Sequence, residues 1–331
     1  MQRFLKIFVL LVAALAAIPS YAQLGLRLTM NRNVYMRFEP VYACVTIKND
    51  SGRALVFGSD PRLQGFIYFE IRDRNGNLVT KYPGRDISST GLVLQAGEVR
   101  SIILPVNEYY DLTRPGDYSI HVRIAHNMLA HEFRSAGECI FQVTEGAVVW
   151  KNTVGVPELD EQGEVDANTT KPAKERTYFV KELDDPPNRY YYLVVEDQNK
   201  IYGVTRIGNV FGVEKFQAEV DMLGRIHLLM PVAPRIFHYL SFSIDGMNTI
   251  NTYWRTTDTI PTLIRDRTSG IVKRIGGIQA KAGVDFALES RDGLSGDKIK
   301  ELEDQKAPVA EGILDLNREV GDFDRSIKDR D

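Results

Sequence analysis

The chain has 331 residues, 44% of them hydrophobic and 26% charged, with a formal net charge of −3 and two cysteines. That length exceeds one ordinary domain and can supply two modest cores. The slightly acidic balance excludes the basic face that nucleic acid or an anionic membrane demands, so no nucleic-acid partner is expected.

The N-terminus places Arg3 and Lys6 before an apolar run from Ile7 to Ile18, then Pro19-Ser20-Tyr21-Ala22. This is the order of a cleavable secretory leader, and it predicts a signal peptide over residues 1–22 with the mature chain starting at Gln23. The run is too short for a membrane span, which needs roughly 20 apolar residues. No later segment is apolar enough to cross, so the mature chain is expected to have no transmembrane segment. No cysteine follows the cleavage site before Cys44, which argues against lipid attachment there. Loss of the leader takes the formal charge from −3 to −5. A periplasmic or secreted location follows.

From residue 23 to 146 short alternating segments are split by turn signals, the pattern of an all-β sandwich. The predicted strands are Leu24 to Met30, Val41 to Lys48, Gly65 to Arg72, Leu78 to Tyr82, Arg100 to Val106, Asp117 to Ala125 and Glu138 to Thr144. Asp73-Arg74-Asn75-Gly76-Asn77 reads as a hairpin turn with positive φ at Asn75 and Gly76. The same acids resemble the start of a calcium loop, but the glycine is misplaced and no closing glutamate follows. Cys44 and Cys139 both fall in the mature chain, where a disulfide would persist. The alternation of Val41, Ala43, Val45 and Ile47 turns Cys44 outward, whereas Cys139 shares a face with Phe141 and Val143. A Cys44–Cys139 bridge and two free thiols both stay open.

Leu112-Thr113-Arg114-Pro115-Gly116-Asp117-Tyr118 places a Pro-Gly turn before a strand whose first inward residue is tyrosine, an arrangement much like a tyrosine corner. Together with Asn49-Asp50-Ser51-Gly52-Arg53 and the Phe69 to Leu78 hairpin, it resembles macroglobulin-type and related bacterial immunoglobulin-like domains of exported proteins. The resemblance covers the N-terminal third and implies an immunoglobulin-like antiparallel sandwich with adhesion or inhibitor-like roles. Gly137-Glu138-Cys139 has the wrong order for the thioester of full macroglobulins, so a covalent trap is not implied.

Residues 147–176 turn acidic, with Glu158, Asp160, Glu161, Glu164 and Asp166, and read as a linker that cannot build a core. A divalent cation on those acids would need a spacing they do not have. Residues 177–279 carry four turns, at Glu196 to Lys200, Asp221 to Gly224, Asp245-Gly246 and Asp266 to Gly270, each between alternating apolar segments. They predict an antiparallel meander of about eight strands closed as a small barrel or two packed sheets. Asp221 to His227 weakly resembles a propeller-blade hairpin, but the domain is too short to close a propeller. Residues 280–331 form a charged tail. Ile299, Leu302, Val309, Ile313, Leu316, Val320, Phe323 and Ile327 recur at helical spacing, interrupted by Pro308 and weakened by Gly312 and Gly321.

No catalytic constellation emerges. His126 and His131 lack a third ligand, and no metalloprotease, nucleophile-elbow, phosphate-loop or dinucleotide motif occurs, so neither metal nor cofactor is expected. Gly203, Gly208 and Gly212 do not space as a phosphate turn. Glu182, Asp184 and Asp185 could serve acid-base chemistry at a strand end, but a solvated turn explains them. The surface that stands out is Arg225, His227, Tyr239, Asn251, Tyr253 and Arg255, placed on one sheet face opposite Ile226, Leu228, Leu240 and Phe242. Aromatic rings with arginines suit a protein or glycan partner. The expected function is therefore a non-enzymatic exported binding or structural module of the cell envelope, with a proteinase-inhibitor-like accessory role as the alternative.

Overall fold

The computed structural model describes residues 24–129, 131–156, 174–212, 216–281 and 283–286. The leader, the acids from Glu158 to Asp166 and the helical stripe lie outside these residues. Among the described residues no helix is long and apolar enough to cross a membrane. Among the described residues the chain is nearly all β, with one helical turn at Val106–Glu108.

The first unit contains β1 (Leu24–Met30), β2 (Val34–Met36), β3 (Tyr42–Asn49), β4 (Leu55–Val56), β5 (Gly65–Asp73), β6 (Val93–Leu94), β7 (Val99–Pro105), β8 (Gly116–His126), β9 (Phe133–Arg134) and β10 (Cys139–Thr144). Two sheets, β1-β3-β7 and β2-β10-β8-β5, enclose one core, and β9 adds beside β8. Period-2 alternation drives this arrangement. Ala43, Val45 and Ile47 of β3 face Ile67, Phe69 and Ile71 of β5 and Ile120, Val122 and Ile124 of β8. The β2–β10 pair is parallel, so the unit is not wholly antiparallel as expected. The segment Leu78 to Tyr82 is not a strand: it makes only the single bridges Arg72↔Leu78 and Lys81↔Tyr110. In the preceding turn only Gly76 has positive φ, at 82°. The Asp73 carboxylate instead accepts the N–H groups of Asn75 and Asn77, each at 2.9 Å, so this acid organises the turn.

The second unit begins earlier than the composition suggests. Ala147–Val156 is strand β11, paired antiparallel with β12 (Lys174–Asp185) from Ala147↔Glu182 to Val156↔Lys174. The linker reading is thus wrong at both ends of 147–176. The acids from Glu158 to Asp166 dominate the segment's composition, while Val148, Val149, Trp150 and Val154 are the residues that suit a strand. Next come β13 (Asn188–Glu196), β14 (Ile201–Asn209), β15 (Gln217–Val220), β16 (Ile226–Ala233), β17 (Ile236–Phe242), β18 (Asn248–Arg255), β19 (Thr262–Arg265), β20 (Val272–Ile275) and β21 (Ile278–Ala280). All four predicted turns fall between strands. The strands assemble as β11-β12-β13-β14 and β15-β16-β17-β18-β21, with β19-β20 as a separate hairpin. Tyr178, Val180, Leu193 and Val195 from the first sheet meet Ile226, Leu228, Leu240 and Phe242 from the second, which makes two packed sheets rather than propeller blades.

The two units are joined directly. Between β10 and β11 stand only Glu145 and Gly146. Gly146 has φ 66°, and a Cβ there would lie 2.6 Å from Met36 Cε and 3.0 Å from the Glu182 carbonyl oxygen, so only glycine fits this bend. Met36 of the first unit is buried with Leu183, Tyr190 and Tyr192 of the second. Arg32 crosses the same junction, donating to Tyr192 Oη at 2.5 Å and to Glu39 Oε1 at 2.8 Å. Glu145 is paired with Arg37 from the first unit and Lys181 from the second.

Cys44 and Cys139 are both free thiols. Cys44 points away from the core on β3, between buried Ala43 and Val45, while Cys139 donates to the Leu28 carbonyl at 3.2 Å. A Cys44→Ser protein is expected to lose less than about 1 kcal/mol, well short of the roughly 2–5 kcal/mol typical of a lost native bridge. Urea melts check the energy, and a non-reducing peptide map that recovers a linked pair would refute the assignment.

Candidate functional site

The six residues of the predicted surface divide between two faces. In the β16–β17 ladder Leu228 pairs with Leu240, and in the β17–β18 ladder Leu240 pairs with Asn251 and His238 with Tyr253. Asn251 and Tyr253 therefore share the face of the core leucines, and Arg255, opposite buried Ile236, continues it. A bulge causes this: Phe242 pairs with Asn248 but Ser241 with Ile250, so Thr249 is the extra residue and every later side chain of β18 changes face.

Arg225, His227 and Tyr239 belong to the opposite face, where His227 and Tyr239 are buried. The β19–β20 hairpin covers it, with Leu263 and Val272 packed on Leu229 and Tyr239. Beneath lies a closed polar chain. Tyr239 Oη donates to His227 Nδ1 at 2.8 Å, and His227 Nε2 donates to Asp221 Oδ2 at 3.2 Å. Asp221 also accepts Arg225 Nε at 2.8 Å and the backbone N–H groups of Leu223 and Arg225, each at 2.9 Å. Burial raises the Tyr239 hydroxyl and depresses the His227 imidazole. Burial would also raise Asp221, but its hydrogen bonds from Arg225 and His227 hold it below the usual carboxylate range. A neutral histidine fixed between a reluctant phenol and a saturated carboxylate is suited to holding the sheet and turn together, not to proton transfer.

The remaining sequence candidates are similarly engaged. Glu182 is paired with Arg189 at 2.8 Å beside the β12–β13 turn, and burial raises Asp185 there. His126 Nε2 is bonded to the Val56 carbonyl at 3.0 Å. Among the described residues no His, Cys, Asp and Glu group could hold a metal.

Sequence reasoning missed a groove of about 610 Å³ along β5. Phe66, Tyr68, Leu78, Val79, Ile87 and Tyr110 supply its apolar walls, and Glu70, Arg72, Lys81, Asp86 and Arg123 its charged rim. The edge of β5 is already used, because Phe69 N–H donates to Tyr110 Oη at 2.9 Å and Val79 N–H to the Ile71 carbonyl at 2.9 Å. The groove is thus lined by side chains and does not offer a strand-pairing slot. Glu70 anchors the rim: Arg123 Nε at 2.7 Å and Arg72 Nη2 at 2.9 Å bond it, with Arg134 at 3.5 Å. Burial opposes ionisation of Glu70, but these guanidinium groups hold it below its ordinary value. Tyr68 is pushed up to about 12 by burial and by Glu132. The alternation Phe66, Tyr68, Glu70, Arg72 along β5 is the one local signal that could have pointed here.

No family model matches the chain, and no curated protein matches it. Among solved structures, a family 123 glycoside hydrolase from Clostridium perfringens is similar over 37% of this chain and 27% of its own, at 10% identity and TM-score 0.23. The YadV chaperone is similar over 70% of this chain and 99% of its own, at 11% identity and TM-score 0.22. The chain thus spans about a quarter of the hydrolase's length. Likeness at this level assigns neither a family nor an activity.

Proposed function

We propose that this chain is a non-enzymatic exported binding or structural module of the cell envelope that contacts a protein or glycan partner through the groove along β5. The observation that carries the reading is the exposure of large apolar side chains beside an ordered charged rim. Phe66 is 47% and Leu78 64% exposed, while Arg72 and Arg123 on the rim are both bonded to Glu70. Rigid aromatic and arginine anchors favour recognition, and paired, depressed carboxylates are poor proton donors. The leader-like N-terminus supports a periplasmic or secreted location.

The test is recovery of partners from native envelope extracts, with glycan and protease panels alongside. Saturable retention without turnover is expected, weakened about tenfold by Leu78→Asp or Phe66→Ala, the size of one lost anchor. Product release from any panel member would overturn the non-enzymatic reading. Stoichiometric protease inhibition would favour the second reading, a proteinase-inhibitor-like accessory of the macroglobulin-related type. That reading is supported by the buried Tyr118, whose hydroxyl donates to the Arg114 carbonyl at 2.6 Å while its ring stacks on Phe141, as an immunoglobulin-like corner requires.

A further inference from the structure

The turn between β2 and β3 breaks a local rule. Glu39 N–H donates to the Met36 carbonyl at 3.1 Å, closing a four-residue turn whose third residue, Phe38, has φ 69°. That position of a type II turn belongs to glycine, and a bulky side chain holds it only under strain. Burial does not repay the strain, because Phe38 is 39% exposed. Strain of this kind gathers where a ligand is clamped.

The Phe38 ring walls a cavity of about 150 Å³. Met36, Val41, Leu112 and Val143, all buried, give it an apolar lining, and Tyr82 adds a second ring. A cavity of this volume holds one benzene-sized group. Its polar groups already have partners within the chain. Asn107 Oδ1 accepts the Val41 N–H at 3.0 Å, and Glu39 Oε1 accepts both Arg32 Nη2 and the Met36 N–H at 2.8 Å. Asp111 accepts the N–H of the lining residue Thr113 at 3.1 Å. A guanidinium lies over each ring, Arg37 at 4.4 Å from the Phe38 centroid and Arg85 at 5.1 Å from that of Tyr82. Arg37 is paired with Glu145. Arg85 donates to the Glu108 carbonyl at 3.1 Å and, among the described residues, meets no carboxylate. We propose that this cavity is a ligand site that takes one apolar group of leucine or benzene size carrying a carboxylate, that Arg85 pairs with the carboxylate, and that Phe38 is held under strain to wall the site.

A free carboxylic acid and the C-terminal leucine of a protein offer the same chemistry. The probe is therefore N-acetyl-leucine, titrated into the full chain and followed by the amide magnetic-resonance shifts of Asn107 and Thr113. Saturable shifts at about millimolar affinity are expected for so small a ligand. N-acetyl-alanine, which leaves the cavity mostly unfilled, should bind at least about tenfold more weakly. N-acetyl-leucinamide, without the charge, should bind about threefold more weakly. Arg85→Ala should bring the acid to the affinity of the amide and leave the amide unchanged. Phe38→Gly suits the turn, so its urea midpoint should hold while the affinity for N-acetyl-leucine falls about tenfold. A tripeptide ending in leucine that binds more tightly than N-acetyl-leucine assigns the ligand as a protein chain end, and one that binds no more tightly assigns a free acid. The proposal is overturned by the absence of saturable shifts at Asn107 and Thr113, by unchanged affinity in Phe38→Gly, or by a preference for the acid that survives Arg85→Ala. Phe38 and Arg85 line no part of the β5 groove, so recovery of a partner through Leu78 and Phe66 stands or falls separately.

Discussion

Replacement of Arg32 by alanine is expected to destabilise the folded chain by about 3–5 kcal/mol, because it leaves Glu39 buried without its cation. The Arg32 and Glu39 side chains are 10% and 5% exposed, so water cannot substitute at the cost typical of a surface pair. Burial lifts the Glu39 carboxyl above its ordinary value despite Arg32 beside it. The folded state therefore holds that proton more tightly than the unfolded chain does. Protonation of Glu39 supports folding fully below about 4.5, and this support is lost as pH rises through the higher folded value. Without Arg32 the carboxyl rises further, so the variant's deficit should be smaller at pH 5 than at pH 8. Urea melts at both values check this. A deficit below about 1 kcal/mol, or one that grows in acid, would show that the junction does not depend on the pair. In the natural chain the two units should melt in one transition, and in the variant they should separate into two.

Asp221→Ala is the second large effect, at about 2–4 kcal/mol. It strips the acceptor from two backbone N–H groups and from His227 in a site where the Asp221 side chain has no exposed surface. The pH dependence runs opposite to that of Glu39. Asp221 is held below its ordinary value by Arg225 and His227 against the pull of burial, so its contribution is present above about 3.8 and fades as pH falls through the lower folded value. His227, depressed by burial, adds a loss that begins near 6.5 on acidification. The variant should keep the His227 slope and lack the steeper one in stronger acid. Identical acid limbs for the two proteins would contradict the assignment of Asp221.

The longer strands of the first unit and the second unit's turns were legible because both are local. Period-2 alternation set Leu24–Met30 to the residue, and the acids Asp197, Asp221 and Asp266 marked turns through their own hydrogen bonds to backbone. What was not legible depends on distant pairing. The two-residue strands β4, β6 and β9 exist only because a partner lies beside them. The misassigned binding surface came from carrying alternation across a hairpin that contains a bulge, and no propensity of Thr249 announces it. The covering of Tyr239 was hidden for a similar reason, since Leu263 and Val272 reach it from a later hairpin. Arg32 and Tyr192 are 160 positions apart, so their contact could not be read from spacing. The groove combines β5 with Leu78, Ile87 and Tyr110 and is legible only once the chain has folded.

The β11–β12 ladder closes with Val156 opposite Lys174, so the backbone leaves the sheet and re-enters it at neighbouring positions. A chain cut anywhere from 157 to 173 would consequently have its two halves still interleaved, because β11 would remain hydrogen-bonded into the sheet built by the later half. Proteolysis there should yield two bands under denaturing electrophoresis but one particle on size exclusion. The same ladder suits split-protein reassembly, in which two separately expressed halves, divided between Val156 and Lys174, rebuild one folded molecule.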